Sequence, residues 1–361
     1  MPQSHVVSGY VGNKSATLPL QLLGFDVDPI MSVQFSNHTG YPTIRGKAFD
    51  GDHLRELLEG LESNGLIRHT HLLTGYIGTL STLEAIAAVA RTLRAANPDL
   101  TYVCDPVLGD EGKCYVSEEL VGAYRSTILP LASVLTPNQF EAELLTGRAI
   151  TDEASALAVC DALHAMGPHT VIITSMEASS SSSASSAPAA AAGDSSGATG
   201  GEQDDPWTRG GAALLPGRHI TLVASTQREQ LPGRPSAFRS CRPAFYIPPT
   251  SSAGILGDLL AALLLAWAHR HPADLATAVE TALAGLQGVL RVTSAAVAAE
   301  ERAAAAALAA SADADGPPGQ GLLSSRERSA AVFRAKELRL VQAQAEVVTP
   351  RVELRAEPLL R

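Results

Sequence analysis

At 361 residues, of which 45% are hydrophobic, the chain is long enough for one large α/β domain or two smaller ones with a sizeable core. Its formal net charge of −10 argues against a general nucleic-acid-binding or anionic-membrane surface and favours a small-molecule partner. The four cysteines have no CxxC spacing, which indicates reduced thiols and suggests no metal site.

The N-terminus lacks a basic region followed by an apolar core, so neither a secretory signal nor a transit peptide is predicted. The longest apolar run, from Leu259 to Ala268, is too short to span a bilayer. We therefore expect a soluble, cytoplasmic protein with no membrane partner.

The predicted elements alternate between strands and helices. After a short first strand near Ser4, strand patterns lie at 28–35, 70–74, 101–105, 133–136, 170–174, 220–223, 245–247 and 336–341. Helical patterns lie at 14–23, 51–64, 80–96, 139–146, 153–165 and 273–296, and a long apolar helix follows Asp258.

Strands separated by helices of this length predict an α/β fold with a central, mostly parallel β-sheet flanked by helices on both faces. Ligands of such sheets gather at the carboxyl ends of the strands. We expect a single domain over residues 1–361 with two insertions. Residues 177–205, rich in Ser, Ala, Gly and Asp, are predicted to be a disordered insertion, and 298–329 a low-complexity one, with a solvated helix before a loop.

The stretch from Gly254 to Trp267 places a glycine turn and an acidic residue before a long apolar helix. Free N–H groups at a helix start can hold phosphate oxygens, and Asp258 could accept a proton from an attacking hydroxyl. This pattern is typical of a phosphoryl-transfer corner. The structural alternative, which the stretch alone favours, is that Asp258 caps a buried helix.

Two more acidic motifs follow predicted strands. Asp105 and Asp110 flank a turn, a pattern suited to hard cations or magnesium-bound phosphates, or to a turn in which Asp105 caps local N–H groups. The run from Thr136 to Glu143 offers a hydroxyl, an amide and carboxylates at a helix start, which is also the pattern of an ordinary N-terminal cap. Both motifs should share one edge of the sheet.

These motifs, read in chain order, resemble the pyridoxal kinases of the ribokinase-like superfamily. The resemblance rests on the segments Gln3–Val6, Gly9–Asn13, Ser32–Tyr41, Leu73–Tyr76, Tyr102–Asp110, Thr136–Leu145 and Gly257–Asp258 with its helix. It covers nearly all of the chain outside the two insertions.

The resemblance implies ATP-dependent phosphorylation of the 5′ hydroxymethyl group of pyridoxal, pyridoxine or pyridoxamine, which gives pyridoxal 5′-phosphate in vitamin B6 salvage. It also implies a homodimer and no nucleic-acid partner. Asp258 matches the catalytic base. The positions that match the family's vitamin-binding residues are Ser4, Val11, Val33, Phe35, His38, Thr39 and Tyr76.

The family's nucleotide and metal positions can also be carried over to this chain. ATP-binding roles are implied for Asp110, the lid residue Tyr115, Asn138, Glu141, Thr174, Ser175, Gly257 and Leu290, the last beside the adenine. Asp110 and Glu141 match the acids that organise Mg²⁺. Asp105, Thr136 and Thr174 match positions associated with a monovalent cation, K⁺ or Na⁺.

The chain departs from the family pattern in three places. The family's Gly-Thr-Gly-Asp anion hole reads Ile255-Leu256-Gly257-Asp258 here, only Met1 and Pro2 precede the first motif, and the segment after Asp110 is short. Two alternatives to a pyridoxal kinase follow. One is a hydroxymethylpyrimidine-type kinase, which the loop from Ser36 to Tyr41 disfavours, and the other is a non-catalytic vitamin- or nucleotide-binding relative with a damaged anion hole.

Overall fold

The computed structural model describes residues 1–110, 112–177, 214–245, 252–312 and 334–359. Most of the first predicted insertion, residues 178–205, lies outside these ranges, as do residues 313–329 of the second and residues 246–247 of a predicted strand.

The strands of the described chain form two main sheets and a small hairpin. Their bounds are β1 Pro2–Val6, β2 Ile30–Phe35, β3 Gly46–Ala48, β4 His71–Thr74, β5 Thr101–Cys104, β6 Gly109–Asp110, β7 Lys113–Cys114, β8 Val134–Leu135, β9 Thr170–Glu177, β10 Leu214–Thr226, β11 Ala237–Phe245 and β12 Glu357–Pro358. The larger sheet has seven strands in the order β12-β11-β10-β9-β8-β5-β4. Strands β4, β5, β8 and β9 are parallel, and β10, β11 and β12 add to the far edge in antiparallel fashion.

The smaller sheet continues the parallel part of the larger one. Strand β1 pairs in parallel with β2, and β2 pairs antiparallel with β3. The N–H of Gly75, directly after β4, donates to the carbonyl oxygen of Pro2 at 3.4 Å. The first strand has five residues, with Pro2 and Gln3 buried. Residues as early as Pro2 are therefore part of the paired sheet.

Helices cover both faces of the sheets. Their bounds are α1 Asn13–Leu22, α2 Gly51–Ser63, α3 Leu80–Ala96, α4 Glu118–Ala123, α5 Gln139–Thr146, α6 Glu153–His164, α7 Ser252–Arg270, α8 Leu275–Ala312 and α9 Gln344–Val348, and a π-helical and a 3₁₀ turn follow α4. Buried side chains of α2, α3, α5 and α6 form one core cluster, and those of α1, α7 and α8 form the second on the opposite face. The predicted layering is confirmed.

Part of α8, residues Leu275–Ala303, is long and apolar enough by length and composition to cross a membrane. Its most apolar window is 61% buried, however, and α8 packs on α7 in the second core cluster. A buried core helix of a soluble protein passes the same test, so this feature is weak evidence for a membrane span.

Several predicted elements differ from the observed ones. Helix α8 runs on to Ala312, so the start of the predicted second insertion continues a core helix. The predicted strand at 336–341 is a turn, and the short strand β3 was not predicted. Leu338 and Leu340 are 2% and 1% exposed, an alternation that mimics a strand. The segment is held instead by contacts such as the Arg339 N–H on Thr293 Oγ1 at 3.1 Å.

Candidate active site

The polar motifs predicted to meet do meet at the carboxyl ends of the parallel strands. Asp105 follows β5 and Thr136 follows β8, and both continue the hydrogen bonding of the parallel sheet. The N–H of Asp105 donates to the carbonyl of Thr74 at 2.9 Å, and the N–H of Thr136 donates to the carbonyl of Cys104 at 3.0 Å. The loop after β1 and helix α7 close over the same edge.

Asp258 is the buried carboxylate at the centre of this edge. Its side chain is 7% exposed, and Oδ2 accepts a hydrogen bond of 2.6 Å from the backbone N–H of Gly12. Burial raises the pKa of Asp258 to about 7, although the Gly12 N–H acts in the opposite direction. A carboxyl group with a pKa near the working pH is suited to general-base chemistry.

Asp105 is a second buried carboxylate beside the first. Its Oδ1 accepts from Thr136 Oγ1 at 3.2 Å, while Oδ2 is buried and has no hydrogen-bond partner within the described structure. Burial, and then the charge of Asp258, raise the pKa of Asp105 to about 8. A Cβ atom at Gly257 would lie 3.4 Å from Asp105 Oδ2, so α7 passes this carboxylate closely. The negative charges of these two carboxylates oppose each other, so a cation bound beside them would favour the ionised form of both.

The helix start predicted before Asp258 was wrong. Helix α7 begins at Ser252, so Gly257 and Asp258 lie in its second turn and the free N–H groups of its start lie earlier in the chain. The reason is local, because Ile255 and Leu256 extend a helix more readily than the glycine and threonine of the family pattern. The predicted glycine turn does not form in the structure.

Glu141 is buried and has both carboxylate oxygens engaged by backbone N–H groups. Oε1 accepts from Leu108 at 2.9 Å and Gly109 at 3.4 Å, and Oε2 accepts from Asn138 at 2.9 Å. Asn138 caps α5 in return through Glu141 N, so the predicted alternative of an N-terminal cap is present. Burial, and then Asp105, raise the pKa of Glu141 well above its usual value. Glu141 thus shapes the loop that leads to Asp110.

The other predicted nucleotide residues are spread more widely. Thr174 on β9 donates through both N and Oγ1 to the carbonyl of Pro137, at 2.8 and 3.2 Å, and half-buried Ser175 follows it. Tyr115 leaves the β6–β7 hairpin with its side chain 47% exposed. Leu290 is 3% exposed inside the second core cluster, so a contact with adenine would require it to become accessible.

The predicted vitamin-binding residues cluster on β1, β2 and the adjoining loops. Ser4 pairs with Val33, and Val6 with Phe35, across β1 and β2. Val11 lies in the β1–α1 loop, His38 and Thr39 lie in the β2–β3 loop, and Tyr76 follows β4. His38 is buried, Thr39 is exposed and the others are half-buried or buried.

Comparison with known proteins agrees with this geometry. Residues 69–205 match the family model described as phosphomethylpyrimidine kinase. A pyridoxal kinase of Arabidopsis thaliana is 44% identical over 358 residues, which is 98% of this chain and 92% of that protein. A pyridoxal kinase of Sus scrofa is 39% identical over 361 residues, which is 99% and 94% of the two chains. The chain belongs to the pyridoxal kinase family.

A solved pyridoxal kinase from Leishmania donovani, in complex with ADP and pyridoxamine, agrees in fold. It has a TM-score of 0.70 and 31% sequence identity, and the match covers 99% of this chain and 98% of that one. The predicted ribokinase-like α/β class and the predicted family are both confirmed. The full-length relatives are pyridoxal kinases, whereas the pyrimidine-kinase model covers only part of the chain, so the first alternative is not supported.

Glu337 is a residue of this pyridoxal kinase-like site that the sequence did not reveal. It accepts from the N–H of Tyr10 at 2.9 Å and from the hydroxyl of Tyr41 at 3.3 Å, and its Oε1 lies 3.4 Å from His38 Nε2. Its carboxylate also occupies the space beside Gly9 that a side chain there would fill. One buried carboxylate thus ties together the two loops that carry predicted vitamin-binding residues.

Gln3 is a second such residue. Its side chain is fully buried, and neither Oε1 nor Nε2 has a hydrogen-bond partner among the described residues. Its Nε2 and Asp258 Oδ1 lie 3.1 and 3.2 Å from the position of a Cβ atom at Gly75. An unpaired buried amide is costly, so its position beside the proposed base indicates a polar neighbour in the working enzyme. The quoted motif Gln3–Val6 was the signal, but it did not assign a role to Gln3.

Proposed function

We propose that the chain transfers the γ-phosphoryl group of ATP to the 5′ hydroxymethyl group of pyridoxal, and also of pyridoxine and pyridoxamine. The product of the first reaction is pyridoxal 5′-phosphate. The observation that carries the proposal is the buried Asp258 carboxylate, held by the Gly12 N–H at the strand ends, with a pKa near 7. Family membership supports the same reaction.

Asp258 accepts the proton of the substrate hydroxyl as that oxygen attacks the γ-phosphorus. The hydrogen bond from Gly12 fixes Oδ2, which leaves Oδ1, the oxygen nearest Gly75, for the incoming hydroxyl. Phosphoryl transfer needs mainly alignment and charge neutralisation, so the rest of the site has to position the two substrates. On the vitamin side this role falls to the residues of β1, β2 and their loops.

The site's chemistry fits a requirement for a divalent metal bound with ATP, and we propose Mg²⁺ together with K⁺ or Na⁺. Asp105 offers an unpartnered buried oxygen beside a second acid, and the Thr136 hydroxyl lies 3.2 Å from its other oxygen. Asp110 follows in the same loop. The described residues contain no group of three or more His, Cys, Asp or Glu that could hold a metal alone. Mg²⁺ commonly takes one or two carboxylates plus substrate phosphates, which this site allows. The metal would neutralise phosphate charge.

The test is pyridoxal-dependent ADP release by the purified chain with Mg²⁺ and K⁺, measured beside Asp258→Asn. We expect turnover by the parent and loss of most of it in the variant, with pyridoxal binding retained, because the substitution removes the base and little volume. Comparable rates for the two would refute the role of Asp258. Binding of pyridoxal or ATP without any turnover by the parent would favour a non-catalytic relative.

Assembly and location belong to the same proposal. We propose a homodimer in the cytoplasm, which acts on small molecules and has no nucleic-acid or membrane partner. The acidic net charge argues against a nucleic-acid partner, and Cys104, Cys114 and Cys160 form no disulfide within the described residues, which is typical of a cytoplasmic protein. Sedimentation equilibrium of the purified chain measures the mass, and a monomer across the micromolar range would contradict the dimer.

A further inference from the structure

A cavity of about 160 Å³ lies at the end of the sheet opposite the proposed active site. Its walls come from the amino ends of β4, β5, β8 and β9, from the carboxyl end of β10, and from the end of α7 and the start of α8. None of the site residues described above lines it. The cavity is therefore separate from the kinase chemistry.

The polar part of this cavity is rich in basic side chains. Four imidazoles and one guanidinium line it, namely His71, His169, His269, His271 and Arg228, and no Asp or Glu is among its lining residues in the described chain. In a chain of net charge −10, five basic side chains gathered without an acid are an unusual local excess. Arg228 carries a fixed positive charge and no carboxylate lines the cavity in the described chain, so the cavity favours small ligands of negative charge.

The histidines are held close together by the packing of the strands against α7. The rings of His71 and His269 lie 4.8 Å apart in an edge-on arrangement. Burial, and then His269, lower the pKa of His71 to about 4. Burial, and then Arg228 and His164, lower that of His169 to about 4. At neutral pH these two imidazoles are neutral, and an entering anion would favour their protonated forms.

Two acids on elements beside this cluster have partners elsewhere. Asp274, at the start of α8, pairs with Arg234 at 2.9 Å and accepts from Thr277. Asp28 pairs with His69, which precedes β4, at 3.1 Å. Neither carboxylate lines the cavity, so neither neutralises its basic side chains directly.

The deeper walls are apolar, with Val103, Leu264 and Leu265 among them. The volume is close to that of an engineered apolar cavity of about 150 Å³ that admits benzene. One aromatic ring therefore fits between the apolar wall and the basic rim. We propose that this cavity binds a small aromatic acid, with its ring against α7 and its carboxylate or phosphate on Arg228 and the imidazoles.

The test is isothermal titration calorimetry of the purified chain with benzoate and phenyl phosphate, beside neutral benzamide. A charge-assisted contact should make benzoate or phenyl phosphate bind about tenfold more tightly than benzamide. The stronger of the two anions identifies the preferred head group. Equal affinities for the acids and benzamide, or no saturable binding of either acid, would overturn the proposal.

Arg228→Gln tests where the acid binds, because it removes the guanidinium proposed to contact the head group. Arg228 is exposed, so the variant should fold. We expect the affinity advantage over benzamide to fall by about tenfold in this variant. Arg291→Gln, which changes an arginine on α8 that pairs with Glu346, is the matched control and should bind like the parent. Unchanged binding in Arg228→Gln would place the acid elsewhere and overturn the assignment.

Proton uptake gives an independent readout. If the imidazoles become protonated as the acid binds, the measured heat changes with the ionisation enthalpy of the buffer and affinity rises as the pH falls toward about 6. His71→Gln should remove part of this uptake, whereas His53→Gln, which changes a histidine stacked on Phe49, should leave it intact. Binding with no proton uptake would contradict the involvement of the histidines.

Discussion

The carboxylate of Asp258 accepts a 2.6 Å hydrogen bond from the backbone N–H of Gly12, which joins helix α7 to the loop after the first strand. Gly12 has a positive φ of 57°, and a Cβ atom there would lie 2.1 Å from the carbonyl oxygen of Ser4. The position of the proposed base thus depends on a residue without a side chain.

Gly12→Ala should therefore lower turnover more than it lowers stability. The methyl group has to displace the loop from Ser4, and the hydrogen bond to Asp258 lengthens or is lost, so we expect kcat to fall by roughly tenfold or more. Gly24→Ala is the matched control, because Gly24 also has a positive φ, of 92°, but nothing lies within 4 Å of its Cβ position. Similar kcat losses in both variants would show that backbone strain alone explains the effect.

The pH dependence of turnover should follow Asp258. Burial raises the pKa of this carboxyl to about 7, so it is protonated below that pH and is then unable to accept the substrate's proton. We expect kcat to rise with pH through about 7 and to level off above it. A pH–rate profile of ADP release measures this, and a flat profile from about pH 6 to about pH 8 would contradict it.

Asp105→Asn should stabilise the cation-free fold, and most of all at alkaline pH. Burial, and then Asp258, raise the pKa of Asp105 in the folded chain from 3.8 to about 8. The unfolded chain releases this proton first, so the group's contribution to stability falls as pH rises from about 4 to about 8 and the loss is complete above that range. Asparagine does not ionise, so the variant does not lose this stability as the pH rises. The difference in Tm between variant and parent should widen with pH, and a constant or narrowing difference would refute this account.

Glu337→Ala should weaken vitamin binding. Without this carboxylate, the loops that carry Tyr10 and Tyr41 lose their common partner, so we expect KM for pyridoxal to rise by roughly tenfold with a smaller change in kcat. Glu300→Ala is the control, since Glu300 is an exposed carboxylate paired with Arg339 of the same C-terminal segment. An equal rise in KM in the control would indicate a general loss of stability.

Replacing Ile255 and Leu256 by Gly and Thr should raise turnover. Glycine in a helix interior costs about 1 kcal/mol relative to alanine, so the substitution favours a helix start nearer to Asp258 and frees N–H groups for phosphate oxygens. The measurement is kcat for ADP release in the variant and the parent. Unchanged or lower turnover would mean that the continuous start of α7 already supports the reaction.

Local signals in the sequence predicted most of the fold. Helices α3 and α5 begin and end where the patterns place them, because Thr79 caps the first and a capping box of Asn138 and Glu141 starts the second. The meeting of the Asp105 and Thr136 motifs followed from the rule that ligands lie at the carboxyl ends of parallel strands. These inferences needed only neighbouring residues or a general topological rule.

The failures depended on contacts between distant parts of the chain or on competing propensities. Glu337 accepts a hydrogen bond from Tyr10, near the other end of the chain, and no periodicity in the sequence reveals such a contact. Its segment also has alternating buried leucines, a pattern that predicts a strand. The predicted start of α7 was wrong because Ile255 and Leu256, which lie between Gly254 and Asp258, favour a continuous helix over a glycine turn. The buried amide of Gln3 carries no pattern of its own.

The bond between Glu337 and Tyr10 spans 327 residues, so it also sets an order of events during synthesis. The ribosome delivers the β1–α1 and β2–β3 loops first, and their shared carboxylate emerges only when nearly the whole chain has been made. A nascent chain ending before residue 337 can pair its parallel strands but lacks the group that joins these two loops. Vitamers should therefore stabilise the finished protein by binding it, while giving little help to the chain during translation.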